Sequence, residues 1–409
     1  MVYGDIANGP TSKFLMSSKA KLIAALAAAS ISSTTGWAAV NVMLTEVPDY
    51  SWQYGCFGTA SGNLMGYWDR HGLPNLYTGP TAGGVAPLND AGSNVGIRSM
   101  WASKAGFDGR PLNQPGHIDD YYVAYESTAN DPYVTAQRAE HTPDCIGDFI
   151  GLNQKKWKSL NSECDGNIDG YSFVYWDHAG AKRVNYVPPI QDPAPVPDIP
   201  SGLRSWTKYH GYGSDVFSQL TDFNPNVPAG TGFTFADLKA EIDSGYPVLL
   251  FLQPTNQFNR SLPNMPRANP IIHGMLAYGY YINNAGVNYV RYKTSWSGSG
   301  DATISQWAAA NWQAELPLRG VIGFHPLPKF TGITHTNDAW NFKWDGPSSI
   351  LKDLVTLTTT NLHWYVLEKS RTLNTNQFVA ITEPTSNRDI TITNCCDEAA
   401  FFRVKLLQK

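Results

Sequence analysis

The chain has 409 residues, of which 16% are charged and 42% hydrophobic, with 12% aromatic, a balance that excludes a disordered chain and gives a prior of two domains. A formal net charge of -4 provides no broad positive field, so phosphate neutralisation across a basic surface, and with it nucleic acid as a partner, is not expected.

Lys19 and Lys21 precede the apolar run Leu22 to Ile31, and small residues follow around Gly36, Trp37, Ala38 and Ala39. This is the layout of a secretory signal, so residues 1–39 read as signal peptide and leader, with the mature N-terminus between Gly36 and Val42 and a secreted or periplasmic destination. An N-terminal amphipathic helix is the competing reading. The run falls short of the roughly 20 strongly apolar residues of a spanning helix, and no second such run occurs later, so no transmembrane segment is expected. Beyond the leader lie Cys56, Cys145, Cys164, Cys395 and Cys396, an odd count that leaves one thiol unpaired unless two chains are bridged. Cys145 and Cys164 are expected to bridge in an oxidising compartment, whereas a bond between the neighbours Cys395 and Cys396 would be strained.

From Cys56 to Trp68 the spacing of Phe57, Ala60, Leu64 and Trp68 predicts a helix with Cys56 in its first turn. A polar, Gly- and Pro-rich stretch follows to about residue 115, interrupted further on by short aromatic runs such as Tyr121 to Tyr125. Residues 187–202, VPPIQDPAPVPDIPSG, are too Pro-rich for a helix or central strand and read as a surface loop or internal linker, with a domain boundary as the competing reading. Thr234 and Asp237 form the signature of a capped helix with Leu238 and Ile242 on its buried face, ended by Gly245 and Pro247. VLLFLQ at 248–253 reads as a buried strand. Runs at 271–282 and 288–296, joined by NNAG, read as a hairpin. From 326 onward, short alternating runs such as WNFKW, LHWYVLEKS, ITITN and FFRVKLL predict an all-β module over 326–409 of a size suited to one small sandwich.

A cysteine at a helix start faces free backbone N–H groups and the positive end of the helix dipole, both of which favour thiolate over thiol, and Cys56 is placed that way. A later strand carries His273, and the run Thr294 to Trp296 follows on the next. GCFGTASGNLMGYWDRHG is similar to the nucleophile helix of papain-like peptidases related to bacteriocin-leader processing enzymes, and HGMLAYGYYIN resembles their histidine strand. GHIDDYYVAYES and HTPDCIGDFIGLNQ also resemble segments of exported bacterial members, so the likeness covers roughly residues 47–325.

The resemblance implies an α+β, papain-like cysteine peptidase fold over 40–325 with an appended all-β sandwich domain over 326–409. It implies Cys56 as nucleophile, His273 as base, and Gln53 as oxyanion donor alongside the cysteine's own N–H, although Tyr50 stands at the more usual spacing for that donor. Thr294 occupies the place of the Asp or Asn that orients the histidine. A hydroxyl there can accept from His273 Nδ1 but carries no charge to stabilise an imidazolium, so low or absent turnover is the expectation.

Residues Asp165 to Gly170 match the opening of a calcium loop, but Trp176 stands where the closing acid belongs, and an Asx-rich turn is the simpler reading. His71, His117, His141, His178 and His210 lack zinc-ligand spacing, so neither a metal nor another cofactor is expected. Three functions follow: hydrolysis of a peptide or protein substrate, a papain-like binding protein that has lost turnover and holds a peptide, glycan or surface partner, or amide or acyl transfer on the same nucleophile. The C-terminal module is the candidate for cell-surface or glycan contact.

Overall fold

The computed structural model describes residues 39–52, 56–77, 85–101, 143–150, 184–186, 199–222, 230–252, 273–295, 304–307, 318–393 and 400–407. The leader, Gln53, the Asp165 to Gly170 loop, Cys164, Cys395, Cys396 and most of the Pro-rich loop lie outside them, as does the expected Cys145–Cys164 bridge.

In chain order the first half comprises β1 (Val40–Leu44), α1 (Cys56–Arg70), α2 (Ile146–Phe149), β2 (Val184–Tyr186), α3 (Ile199–Tyr209), β3 (Ser214–Leu220), α4 (Phe235–Asp243) and β4 (Val248–Leu252). Then follow β5 (His273–Ile282), β6 (Asn288–Lys293), β7 (Ile304–Gln306), β8 (Leu318–Pro326), β9 (Lys329–Thr336), β10 (Ala339–Asp345), β11 (Ile350–Asp353) and β12 (Thr359–Asn361). The chain closes with β13 (Trp364–Ser370), β14 (Val379–Ala380), β15 (Asp389–Thr393) and β16 (Phe401–Leu407). The architecture is α+β with several antiparallel sheets. One ten-stranded sheet runs β12-β11-β1-β5-β4-β8-β3-β2, with β6 on β5 and β7 on β6.

Strand β5 is where this sheet branches. Its first half pairs with β4 in the register Phe251 to Gly274 and Leu252 to His273, its second half pairs with β1, and β6 lies along its other edge. The hairpin of β5 and β6 turns through Asn283, whose side-chain oxygen accepts from the Ala285 and Val287 N–H groups. Helix α4 starts as its sequence requires: the Thr234 hydroxyl accepts from Asp237 N, the Asp237 carboxylate accepts from Thr234 N, and Leu238 and Ile242 are its buried residues.

Helix α1 is buried along its whole length except at Arg70, the condition of a helix enclosed on all sides. Its polar side chains therefore need internal partners: Asn63 Oδ1 and the Asp69 carboxylate find them in the surrounding chain, whereas Ser61 Oγ, Asn63 Nδ2 and Trp68 Nε1 have none among the described residues. Asn63 Oδ1 accepts from Tyr50 N at 2.8 Å, and the Asp69 carboxylate accepts from Ala86 N at 2.7 Å and Tyr77 N at 3.3 Å. Burial pushes the Asp69 carboxyl up to about 7 against these two donors. Phe57, Leu64 and Trp68 are fully enclosed, each contributing about 2–3 kcal/mol by area burial.

The C-terminal strands form two three-stranded sheets, β15-β10-β9 and β14-β13-β16, which share a core of Phe342, Trp344, Tyr365 and Leu367. Beyond the boundary expected at 325/326, β11 pairs with β1 and β12 extends that edge. Residues 350–361 belong to the large sheet. Further bonds fasten the junction: Gly346 N donates to Gly72 O, Ser348 N to His71 O, and Ser349 Oγ to Gly245 O at 2.7 Å.

Four histidines, three of them buried and His210 half-buried, sit in this framework. Burial lowers His363 to about 3, with neighbouring His71 and His325 acting in the same direction. Its Nδ1 accepts from Ser349 N at 3.1 Å, so the ring proton is on Nε2. Burial also lowers His210 to about 4, His273 to about 4, and His71 below its ordinary value. Each stays neutral in the folded chain while the unfolded chain binds a proton below pH ~6.5, so the stability they contribute is complete above that pH and is lost as pH falls toward 4 and below. Asp69 acts in the opposite sense, one group against four. We expect the melting temperature to drop between pH 7 and 4.5, and His363→Asn, which keeps an acceptor for Ser349 N, to flatten that drop; a pH-independent melting temperature over this interval would refute the assignment.

Candidate active site

Cys56 is the first residue of α1 and is fully buried. The adjoining residue explains its placement. A β-carbon on Gly274 would stand 2.6 Å from the ring of Phe57, so the missing side chain at 274 lets that ring lie directly on β5, where it also meets Phe251 at 5.4 Å. The first turn of α1 is thereby held on the strand, and Gly274 N donates to Cys56 Sγ at 3.1 Å. His273 is the preceding residue and is 1% exposed. Helix start and histidine strand, distant in sequence, meet here.

The His273 ring is oriented from the end of β6: Nε2 lies 2.5 Å from the main-chain oxygen of Thr294. A carbonyl oxygen only accepts, so Nε2 carries the proton and Nδ1 has the lone pair. Burial is the main cause that lowers His273 to about 4, with the Thr294 carbonyl acting the other way, so the ring is neutral at pH 7. A neutral imidazole whose Nδ1 is unprotonated can take a proton. The N–H from Gly274 stands where negative charge develops on sulfur when the thiol gives its proton up.

The acceptor expected at Thr294 was its hydroxyl, and at Nδ1; the bond the structure places there instead runs from Nε2 to the Thr294 carbonyl. The physical reason is local. Ser295, the next residue, has φ +58°, which turns the Thr294–Ser295 peptide out of the strand pattern of β6. Tyr50, which stands at the more usual spacing for the oxyanion donor, belongs to the core. Its hydroxyl donates to Pro87 O at 2.7 Å and its ring stacks on Trp101 at 4.9 Å.

Two residues ahead of the site, Asp49 and Ser51, are tied to other parts of the chain. Ser51 donates from N and Oγ to Asp90 Oδ1 at 3.0 and 3.1 Å, and Arg98 Nε lies 2.5 Å from the other oxygen of that carboxylate. Asp49 lies 3.7 Å from Lys293 Nζ, one residue before Thr294. Sequence reading missed Gly274, Lys293 and Ser295; only the glycine beside His273 left a visible signal there, as a small residue in a buried strand. Asp144, Cys145 and Asp148 form the group of potential metal ligands among the described residues, but Asp148 Oδ2 caps the Asp144 and Cys145 N–H groups.

Comparison of the chain with protein families, with curated proteins and with solved structures finds no match. The chemistry of the site therefore stands on its geometry.

Because the acceptor for His273 is main chain, Thr294→Ala keeps it. We expect this variant to alkylate at Cys56 within about twofold of the wild-type rate at pH 7. A loss of two orders of magnitude would show that the hydroxyl, and not the carbonyl, orients the ring.

Proposed function

We propose that the chain is a cysteine peptidase of papain-like type, an α+β hydrolase core carrying a C-terminal sandwich, in which Cys56 attacks a peptide carbonyl and His273 manages the proton. The observation that supports this best is the contact of Cys56 Sγ with Gly274 N at 3.1 Å, which places the sulfur one residue from a neutral histidine whose Nε2–H is already engaged by Thr294 O. In the reaction His273 Nδ1 takes the thiol proton, sulfur bonds to the carbonyl carbon, and the proton passes to the leaving amine as the C–N bond breaks. Water then releases the acyl group. Peptide or protein substrate, export to the cell exterior or periplasm, and surface or glycan contact through the C-terminal sheets belong to the same proposal.

One observation favours a second reading. Cys56 and His273 are both buried, with relative exposures of 0% and 1%, so a polypeptide reaches the sulfur only if the covering segments part. A scaffold kept for binding would show the same closed site.

The two readings part in one experiment. The purified chain is treated with iodoacetamide and with a peptidyl epoxide, the modified residue is mapped, and hydrolysis of casein and a peptide library is followed in parallel. The peptidase reading expects modification at Cys56, a fall of roughly 100-fold or more in hydrolysis for His273→Gln, and no hydrolysis at all by Cys56→Ala. A folded protein that takes iodoacetamide at Cys56 yet ignores the peptidyl epoxide and cleaves nothing is the binding scaffold. Hydrolysis that survives Cys56→Ala removes the cysteine mechanism.

A further inference from the structure

Four non-glycine residues among those described have positive φ: Glu46, Ser295, Asn337 and Leu357. Three of them are exposed, whereas Ser295 has 0% exposure. Its φ of +58° is a left-handed conformation that L-residues other than Gly, Asn and Asp avoid. A serine in such a place commonly recovers part of the cost through a local side-chain hydrogen bond. Here the buried hydroxyl has no hydrogen-bond partner among the described residues, so nothing in the side chain explains the conformation.

The peptide before it does. Rotating the Thr294–Ser295 peptide by half a turn about its flanking Cα atoms would return Ser295 to an extended φ of about -120° without moving the chain on either side. The same rotation would carry the Thr294 oxygen away from His273 Nε2, now at 2.5 Å, and bring the Ser295 N–H round in its place. An N–H opposite Nε2 requires that nitrogen to accept, which moves the ring proton to Nδ1. Nδ1 would then be a donor and not a base. The left-handed residue and the tautomer of the histidine are two views of one peptide orientation.

We propose that Ser295 is a positioning residue: its left-handed backbone holds the Thr294 carbonyl toward His273 and thereby fixes the ring as the Nε2–H tautomer, leaving Nδ1 to receive a proton. The consequence for catalysis rests on the peptidase reading, but the ring state does not. The group that orients the histidine is thus a peptide unit locked by its successor.

Histidine tautomers are read directly from long-range proton–nitrogen NMR spectra of the full chain labelled with 15N, with the His273 signals identified by their loss in His273→Gln. The wild type is expected to show a neutral Nε2–H ring at pH 7. Ser295→Gly should keep it, because glycine takes positive φ freely. In Ser295→Val, where a β-branched side chain disfavours positive φ, the balance should shift roughly tenfold toward the rotated peptide, with Nδ1–H signals appearing and Cys56 alkylation slowing together. An Nδ1–H ring in the wild type, loss of the Nε2–H ring in Ser295→Gly, or a folded Ser295→Val with an unchanged ring each overturns the proposal. Should Ser295→Val not fold, the wild-type and glycine spectra decide alone. Tautomers that behave as expected in a protein that hydrolyses no peptide would keep the positioning role and remove the peptidase reading.

Discussion

The structure around the site depends on one close approach, the ring of Phe57 on the bare backbone of Gly274. Any side chain at 274 would push α1 off β5, and with it the sulfur of Cys56 off the Gly274 N–H. A packing constraint between two apolar surfaces thus determines a polar geometry of 3.1 Å. Phe57 directly follows the cysteine it places, and Gly274 directly follows His273, so one contact brings the two residues of the site together.

Enclosing α1 this tightly requires that its polar groups be answered from outside the helix, since an unpaired buried polar group costs about 1–3 kcal/mol. Asn63 and Asp69 accept backbone N–H groups from residues 50, 77 and 86, so the segments that wrap the helix are ordered by the helix itself. The C-terminal region completes the enclosure. It is fused to the large sheet through β11 and β12 and meets the loop after α1 at Gly72 and Gly346, where Arg388 Nη1 donates to both carbonyls at 3.0 Å. A left-handed Gly72, φ +103°, is required there because a β-carbon would collide with the Gly346 oxygen.

Much of this was legible in the sequence where the signal was local. Thr234 with Asp237 marked the cap of α4, the spacing of Phe57, Leu64 and Trp68 marked α1, and the alternation in WNFKW and ITITN marked β10 and β15. What was not legible depended on partners far apart in the chain. ILKD at 350–353 is short and of mixed polarity, and nothing in it shows that its partner is β1 and not the neighbouring C-terminal strands. Likewise TSW at 294–296 displayed a hydroxyl, and reasoning from side chains assigned the orienting role to that hydroxyl. Backbone conformation at residue 295 decides otherwise, and serine, unlike glycine, gives no sequence signal of positive φ.

An acceptor that is a carbonyl and not a carboxylate changes the energetics of the proposed chemistry. Both acceptors hold the ring and select the same tautomer, but only a charged one stabilises the imidazolium that forms when Nδ1 takes the proton. In a buried site that deficit is large, as the lowering of His273 to about 4 shows: the surroundings oppose a charge on this ring. A positive charge on this ring alone is therefore disfavoured, and in the proposed chemistry proton transfer would accompany attack on the carbonyl, when negative charge moves from sulfur to the substrate oxygen. Catalysis would then depend more on the donors that receive that oxygen than on the histidine's own orienting partner. With a main-chain acceptor in place, the place to look for rate lies on the nucleophile side of the site, at the segment that Asp90 and Lys293 tie down ahead of Cys56.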